Sequence, residues 1–327
     1  MPDVLVDHRI AVDETSFDFR GVEKEELEHH IGEFSEAINE LRRQGLTVFV
    51  HPWLWSDLEC LDGVSVGEFV YGTAATTVDR DLRLLLGVAL DRCLSWREDV
   101  PGFLESVDLV PGAADDPAGV VPVHVDVGYS LGVVLFQQRR MACLAFSHAG
   151  RHGPWRIHGA DRSTVVYFFT TAEELCFFWR SIFSAEQVGE RDFFRLAAYA
   201  FPSLIFHPDL RFGAFDSAYR DVRDKVVEIL CIINDHFSRV LVDKLGLPNE
   251  VQAALGAYGV DLSRESPNTH KSPRLMAQRA VSFEGKTYDC EWHAKLERHR
   301  NRIHFSLPSP DLGGKILVGI FTHHLDT

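Results

Sequence analysis

The sequence lacks the paired cysteines of a disulfide framework or a structural zinc site. Its six cysteines are scattered through 327 residues, and no two of them form a Cys-x-x-Cys pair. Isolated cysteines of this kind are typical of proteins in a reducing compartment. The chain also lacks a basic, apolar leader and any apolar run long enough to cross a bilayer. We therefore expect a cytoplasmic protein that has no membrane partner and no zinc bound through cysteine.

The glycine-rich motifs that bind nucleotide phosphates are also missing. Neither a Walker motif nor a dinucleotide fingerprint occurs in the chain. This absence removes the usual sequence support for most cofactor enzymes. The sequence accordingly predicts no cofactor and no metal.

Positive charge is scarce overall but concentrated near the C-terminus. The chain has 33 Lys and Arg against 48 Asp and Glu, a net charge of −15, which argues against a protein that coats nucleic acid over its whole surface. From Arg264 to Ser306, however, nine basic residues stand against five acidic ones. An acidic body is thus followed by a basic segment, which leaves room for a local anion-binding site.

Hydrophobic periodicity predicts a mixed α+β fold. The predicted helices cover residues 23–43, 79–96, 219–245 and 250–258. The predicted strands cover residues 47–51, 120–127, 141–146, 164–169, 280–283, 287–295, 302–307 and 315–321. A helix followed directly by a strand is typical of an α/β arrangement. We therefore predict an α/β-like N-terminal body with long helices, followed by a small antiparallel-sheet C-terminal domain.

The change in charge and pattern places the predicted domain boundary near residue 260. Residues 1–260 are expected to form the acidic mixed α/β body, acting as a regulator or adaptor. Residues 261–327 are expected to form the basic antiparallel-sheet domain.

The densest group of polar side chains lies in the predicted C-terminal sheet. Glu291, His293 and Lys295 share one face of a predicted strand because the side-chain period is two, and Arg302 and His304 share a face of the next. Pairing of the two strands would bring these five groups together. His, Lys and Glu supply general acids and bases, and Arg and Lys stabilise phosphate charge. This is the equipment of a metal-independent ribonuclease, although alternating charges are also typical of a solvated strand face.

The end of the chain resembles the terminal strands of RelE-type toxins. The resemblance covers about the last forty residues and rests on Arg-Ile-His-Phe at 302–305, Lys-Ile-Leu-Val-Gly-Ile at 315–320 and His-His-Leu at 323–325. It implies a small α+β ribonuclease that cuts messenger RNA on the ribosome.

The resemblance also implies site residues and a biological setting. Its basic active residues would be Lys295, Arg302 and His304, with His323 or His324 near the end. The toxin-like tail implies a toxin–antitoxin or phage-defence role in bacteria. The whole chain also resembles uncharacterised bacterial proteins, which implies no activity.

Three cations outside the five-residue group are expected to bind RNA. Lys271 lies in a loop of hydroxyl, amide and ammonium donors that suits an anion, although such loops are usually only turns. Arg298 and Arg300 lie in the turn between the two predicted strands. These three residues extend the predicted RNA surface beyond the catalytic group.

Two further patterns are weaker. Gly63-Val-Ser65-Val-Gly67 matches the G-x-S-x-G nucleophile elbow, but its flanks favour a simple turn bounded by glycines. His124 and Asp126 share a strand face and, with His207 or Asp209, would suit a divalent metal. A solvated strand face is the alternative that this second pattern favours.

Two functions follow from these observations. In the first, the protein is an RNA-directed toxin or defence effector whose metal-independent ribonuclease site consists of the five C-terminal residues, with RNA or the ribosome as partner. In the second, it is a non-catalytic adaptor whose acidic body binds a basic protein partner.

Overall fold

The computed structural model describes residues 6, 8–72, 76–102, 104–112, 119–297 and 300–326. The chain divides into two compact units, residues 1–178 and 179–327. The predicted boundary near residue 260 falls inside the second unit. Among the described residues, no helix has both the length and the apolar character that a membrane span requires.

The first unit contains a mixed eight-stranded sheet. The strands of this unit are β1 (Ile10–Val12), β2 (Val48–Val50), β3 (Glu59–Leu61), β4 (Val64–Ser65), β5 (Leu94–Ser95), β6 (Ser106–Pro111), β7 (Val121–His124), β8 (Met141–Leu144), β9 (Gly153–Gly159) and β10 (Arg162–Phe169). The strand order is β5-β2-β1-β8-β10-β9-β6-β7, and β3 and β4 form a separate hairpin. Strands β5, β2, β1, β8 and β10 run parallel to one another. The remaining pairings, β10 with β9, β9 with β6 and β6 with β7, are antiparallel.

Helices flank this sheet. They are α1 (Lys24–Arg43), α2 (Val66–Tyr71), α3 (Arg80–Leu90) and α4 (Tyr129–Gln137). The boundary between the two units falls within α5 (Leu175–Ala185). The longest, α1, has acidic residues in its first turn and arginines in its last, which suits the helix dipole. It ends before Gly45, whose φ of +77° is available to glycine at little cost. The predicted helix over 23–43 is therefore confirmed to within one residue.

The second unit contains a five-stranded sheet and a hairpin. Its strands are β11 (Leu204–Phe206), β12 (Asp261–Arg264), β13 (Ala280–Phe283), β14 (Lys286–Asp289), β15 (Trp292–Lys295), β16 (Arg302–Phe305) and β17 (Ile316–Thr322). The sheet order is β11-β17-β16-β15-β12, and β13 pairs only with β14. Every pairing in this sheet is antiparallel except that of β11 with β17. The predicted mixed α+β fold with a small antiparallel sheet near the C-terminus is thus confirmed.

The helices of the second unit precede most of its strands. They are α6 (Glu190–Ala200), α7 (Tyr219–Ile232), α8 (Ser238–Asp243), α9 (Pro248–Gly256), α10 (Pro267–His270) and α11 (Pro273–Ala277). A π-helical turn, Ile233–Phe237, joins α7 to α8 without a break in the helix. Its Phe237 ring meets Trp292 and Phe305 edge-on, at centroid distances of 5.3 and 5.0 Å. Because side chains alternate along a strand, this contact commits one face of β15 and β16 to the apolar core.

Two predicted elements are wrong in extent. The helix predicted over 79–96 ends at Leu90, and Leu94–Ser95 forms a strand beside β2. The strand predicted over 287–295 is two strands, Lys286–Asp289 and Trp292–Lys295, which belong to different sheets. The break occurs where the Cys290 N–H donates to Arg279 O and the Glu291 carbonyl accepts from the Glu265 N–H.

Candidate metal centre

Two histidines lie directly opposite each other in the middle of the five-stranded sheet. The register pairs His293 of β15 with His304 of β16, and their ring centroids are 5.1 Å apart. On the other side of β15, Ser263 of β12 lies opposite His293. The predicted pairing of these two strands is therefore confirmed. Both histidines project from the face opposite to Trp292 and Phe305, away from the Phe237 contact.

A buried carboxylate joins the two histidines. Glu265 directly follows β12, and its Oε1 lies 3.5 Å from His293 Nδ1 and 3.8 Å from His304 Nδ1. Only 6 % of Glu265, 6 % of His293 and none of His304 is exposed. One ligand atom from each residue lies within 4.8 Å of the other two. Two imidazoles and one carboxylate thus converge on a point inside the unit.

Three buried atoms of this group have no hydrogen-bond partner among the described residues. They are Glu265 Oε1, His293 Nδ1 and His304 Nε2. Buried polar atoms are satisfied in the great majority of cases, because an unpaired one costs about 1–3 kcal/mol. Three such atoms in one cluster therefore point to a ligand that supplies the missing interaction.

Other atoms of the same side chains have fixed partners. The His293 Nε2 lies 3.3 Å from Ser263 Oγ, and the His304 Nδ1 lies 3.3 Å from the Cys290 carbonyl oxygen. A second ring nitrogen held in this way fixes the tautomer and the orientation of a metal-binding histidine. The cluster therefore has outer partners of the kind that metal ligands use.

Arg279 compensates the charge of Glu265. Its guanidinium is fully buried, and Nε lies 2.8 Å from Glu265 Oε1, without the alignment of a hydrogen bond. Its two terminal nitrogens donate to the carbonyl oxygens of Leu275 and Asp326, each at 2.8 Å. The arginine is thus fixed by the backbone and forms a buried ion pair with the carboxylate.

Burial keeps both histidines neutral. It lowers the pKa of His293 to about 4, against the attraction of Glu265. It also lowers the pKa of His304 well below its usual value, and the neighbouring His293 and Arg279 add to this effect. A neutral imidazole retains one lone pair, which is the form that binds a metal.

The remaining members of the predicted catalytic group lie outside the buried cluster. Glu291 directly precedes β15, and its Oε1 lies 2.9 Å from Arg264 Nε. The Lys295 ammonium lies 2.9 Å from Asp261 Oδ2. Arg302 lies opposite Lys295 in the next strand, half-buried, and makes no ion pair or hydrogen bond with the described part of the chain. The catalytic roles predicted for these residues remain predictions.

Of the three predicted RNA-binding cations, the structure describes Lys271 and Arg300. Lys271 is exposed at the end of α10, and the Arg300 Nε lies 2.6 Å from Glu297 Oε2. Arg298 lies outside the described residues. A cation paired with an acidic neighbour must lose that pair before it can bind phosphate, so Arg300 contributes less than its charge suggests.

The two weaker sequence patterns have local roles. Ser65 caps α2, since its hydroxyl accepts from the Glu68 N–H while the Glu68 carboxylate accepts from the Ser65 N–H. This is a capping box rather than the strand-to-helix elbow of a nucleophilic serine. His124 and Asp126 are exposed and lie 3.3 Å apart, next to the edge strand β7.

No protein-family model, no curated protein and no solved structure matches this chain. The resemblance to RelE-type toxins therefore stays a prediction. Two neutral imidazoles and one carboxylate form a ligand set for a divalent transition metal.

Proposed function

We propose that the second unit is a metal-dependent enzyme that acts on a phosphodiester, with Glu265, His293 and His304 as the metal ligands. The observation that carries this proposal is the convergence of two buried imidazoles and a buried carboxylate, with one ring nitrogen of each histidine lacking a hydrogen-bond partner among the described residues. Most buried polar atoms in folded proteins have a hydrogen-bond partner.

The spacing of the cluster suits a metal. Ligand bonds of 2.0–2.2 Å place the ligand atoms of a tetrahedral site about 3.5 Å apart. The carboxylate oxygen of Glu265 lies 3.5 Å from His293 Nδ1, and one ligand atom from each of the three residues lies within 4.8 Å of the other two. Small movements of the side chains would therefore bring the three ligand atoms to this spacing.

Three protein ligands would leave one coordination position of the metal open. Catalytic zinc sites have three protein ligands and keep the fourth position for water, whereas structural zinc sites are closed by four. The same two imidazoles and one carboxylate also suit iron(II). When bound, the metal would supply Lewis acidity and lower the pKa of a coordinated water. The protein contributes three ligands, held by Ser263, by the Cys290 carbonyl and by Arg279.

The charges around the cluster favour an anionic substrate. Arg279 already neutralises Glu265, so a divalent cation would add two uncompensated positive charges. The half-buried Arg302 lies two residues from His304 on the same strand face and forms no ion pair with the described residues, although the charges of Glu265 and Asp261 act on it. The oxygens of a phosphodiester would interact with both the metal ion and Arg302, since arginine binds phosphate through two parallel hydrogen bonds. RNA is the first substrate to test, because the C-terminal strands resemble those of RelE-type ribonucleases.

Metal binding is tested on the full chain. Protein stripped with EDTA is titrated by calorimetry with Zn²⁺, Mn²⁺ and, without oxygen, Fe²⁺, and the bound metal is counted by mass spectrometry of the elements. We expect one ion per chain. His293→Gln and His304→Gln should each weaken binding by more than about 100-fold, because loss of an outer partner alone costs 10- to 100-fold.

Two variants serve as references in this titration. Ser263→Ala should cost about 10-fold in affinity, since it removes only the partner of His293. His324→Gln removes an exposed histidine of the same unit and should bind like the wild type. Equal affinity in all four variants would show that the ion binds elsewhere.

The reaction is tested with labelled RNA and DNA. We expect cleavage by the metal-loaded chain and none in EDTA, with kcat/KM lowered about 10- to 100-fold in Arg302→Ala through loss of a charge-assisted hydrogen bond. Cleavage that persists in EDTA and is lost in Lys295→Ala would instead favour the metal-independent ribonuclease. Metal binding without cleavage of either polymer would reject nucleic acid as the substrate.

A further inference from the structure

A second constellation lies in the first unit, independent of the metal centre. Strand β1 is flanked by β2 on one side and β8 on the other, all parallel. The chain leaves β1 through α1 to β2 and later returns to β8, so the strand order reverses between β1 and β8. In open α/β sheets, ligands bind outside the carboxyl ends of the strands at such a point.

Ser147 lies at this edge of the sheet. It begins the short 3₁₀ turn Ser147–Ala149, which follows the carboxyl end of β8 after two residues. Its hydroxyl oxygen is 2.5 Å from Nδ1 of His30, and the side chain is only partly buried. A serine hydroxyl this close to an imidazole nitrogen can lose its proton to that nitrogen.

The imidazole is oriented by a carboxylate of its own helix. Glu26 precedes His30 by one turn of α1, and its Oε1 lies 3.3 Å from His30 Nε2. Glu33, one turn later, places Oε2 3.2 Å from Ser147 Oγ. Because residues three and four apart share a helix face, α1 presents a carboxylate, an imidazole and a second carboxylate in one row. His30 is 9 % exposed and therefore held between its partners.

We propose that Ser147, His30 and Glu26 form a nucleophile, base and orienting group that hydrolyses a carboxylic ester. Nucleophile, base and orienter in hydrogen-bond reach are the signature of such sites, whatever their order in the chain. This proposal does not depend on the metal centre, because none of its residues belongs to the second unit.

The reaction balances with water as the only co-reactant. His30 takes the Ser147 proton as Oγ bonds to the ester carbonyl carbon, and it gives that proton to the departing alkoxide, which leaves as the alcohol. Water then gives a proton to His30 as its oxygen bonds to the acyl carbon. The acyl–Oγ bond breaks, the carboxylic acid leaves, and Ser147 recovers its proton from His30.

An acidic cleft that shares Glu33 with the contacts of Ser147 indicates the kind of ester. The cleft has a volume of about 360 Å³, the size of a small-molecule site. Its charged lining consists of Glu33, Glu36, Glu40, Glu173 and Arg43. Glu33 belongs both to this cleft and to the contacts of Ser147. Four carboxylates against one guanidinium favour an ester that carries a cationic group.

The nucleophile is tested with a fluorophosphonate probe, which reacts covalently with activated serines. The full chain is incubated with the probe, and the labelled peptide is located by mass spectrometry, which requires no variant. We expect one label per chain, on Ser147. No labelling, or labelling confined to other serines, would overturn the proposal.

Variants then assign the roles. Ser147→Ala should abolish labelling, and His30→Gln should slow it more than about 100-fold, in keeping with the 10²–10⁴-fold typical of a general base. Ser65→Ala removes the serine of the G-x-S-x-G pattern and should label at the wild-type rate. Thermal unfolding is recorded for each variant, so that loss of labelling counts only in a folded chain. Equal rates in the wild type and His30→Gln would reject activation by His30.

The substrate class is tested with two p-nitrophenyl esters of equal size, one carrying a trimethylammonium group and one neutral. We expect kcat/KM to be at least about 10-fold higher for the cationic ester, and Glu36→Gln with Glu40→Gln to reduce that ratio. Equal rates for the two esters, or a preference for the neutral one, would reject the cationic class. Hydrolysis that persists in Ser147→Ala would reject the site itself.

Discussion

Glu14 is a fully buried carboxyl group whose two oxygens both meet Ser130. Oε1 accepts a hydrogen bond from the Ser130 hydroxyl at 2.5 Å, and Oε2 accepts from the Ser130 N–H at 3.1 Å. The same hydroxyl accepts from Trp96 Nε1 at 2.8 Å. These hydrogen bonds favour the charged form, yet burial outweighs them and raises the pKa of Glu14 to about 8. The folded protein therefore holds a proton here at neutral pH.

Replacing Glu14 with glutamine should change how stability depends on pH. Between about pH 4.5 and pH 8 the folded chain keeps the Glu14 proton while the unfolded chain releases it. The unfolding free energy should therefore fall as pH rises through this window, by at most about 5 kcal/mol. In Glu14→Gln this part of the slope should be absent, as measured by urea unfolding at several pH values.

The exposed Glu105 provides the matched control for this experiment. Glu105→Gln removes a carboxyl group from the same unit without changing a buried one, so it should keep the wild-type slope. A slope that is equally steep in Glu14→Gln would show that Glu14 ionises at its usual pKa inside the folded protein.

Among the secondary-structure elements, the sequence predicts long helices better than short strands. The helix over 23–43 has consistent apolar spacing, charges that suit its dipole and a glycine beyond its end, and the structure places it at 24–43. The helix predicted over 79–96 stops at Leu90, because Leu94 pairs with Phe49 in β2. Helical periodicity continues past residue 90, but pairing with a distant strand decides the outcome.

The candidate metal site could be predicted only in part for a similar reason. Alternation along two neighbouring strands brings His293 and His304 together, and this depends only on local pattern and register. Glu265 and Arg279 enter the same cluster from a strand end and a helix end elsewhere in the chain. No local spacing connects them with the histidines, so the sequence analysis grouped the histidines with Glu291 in a metal-independent catalytic site instead.

The contact between the β13–β14 hairpin and β17 depends on one glycine. A β-carbon at Gly319 would overlap Cys290 Sγ and lie 2.9 Å from Val281 Cγ2. We expect Gly319→Ala to lower the unfolding free energy by about 2 kcal/mol, the usual cost of an overpacked core. Chemical denaturation of the full chain measures this change.

A double variant tests the cause of that loss. Cys290→Ala removes the sulfur that the new methyl group would meet, so Gly319→Ala should cost less in the Cys290→Ala background than in the wild type. Gly256→Ala, in open space within α9, should be neutral or stabilising. Strictly additive effects of the two substitutions would locate the strain of Gly319→Ala elsewhere.

At the scale of the whole molecule, charge and folding units follow different boundaries. The basic segment from Arg264 to Ser306 contains β13 to β16, but the sheet that it enters also includes β11, at Leu204–Phe206. β11 pairs with β17 in parallel, so the five-stranded sheet draws on residues on both sides of position 260. A change in composition shows only where basic residues lie along the sequence. A folding unit is instead defined by strand pairing and core contacts.

Metal binding should therefore slow hydrogen exchange over a larger part of the chain than the basic segment. Hydrogen exchange of the full chain is compared with and without metal at 100 times its dissociation constant, where a site specific for the folded form adds about 2.7 kcal/mol. We expect slower exchange in β12, β15 and β16, and also in β11 and β17, because one sheet carries all five strands. Peptides from β1 and β8 of the first unit provide the internal reference.

The same comparison in His304→Gln separates a specific site from general binding of the ion. This variant lacks one proposed ligand, so metal should leave its exchange unchanged while the wild type slows by up to about 100-fold at amides that exchange through opening of the sheet. Slowing restricted to peptides outside the sheet would place the ion elsewhere. Equal slowing in both proteins would show that His304 is not a metal ligand. Loss of a ligand at the centre of the sheet would weaken metal binding and so remove the slowing in both neighbouring strands.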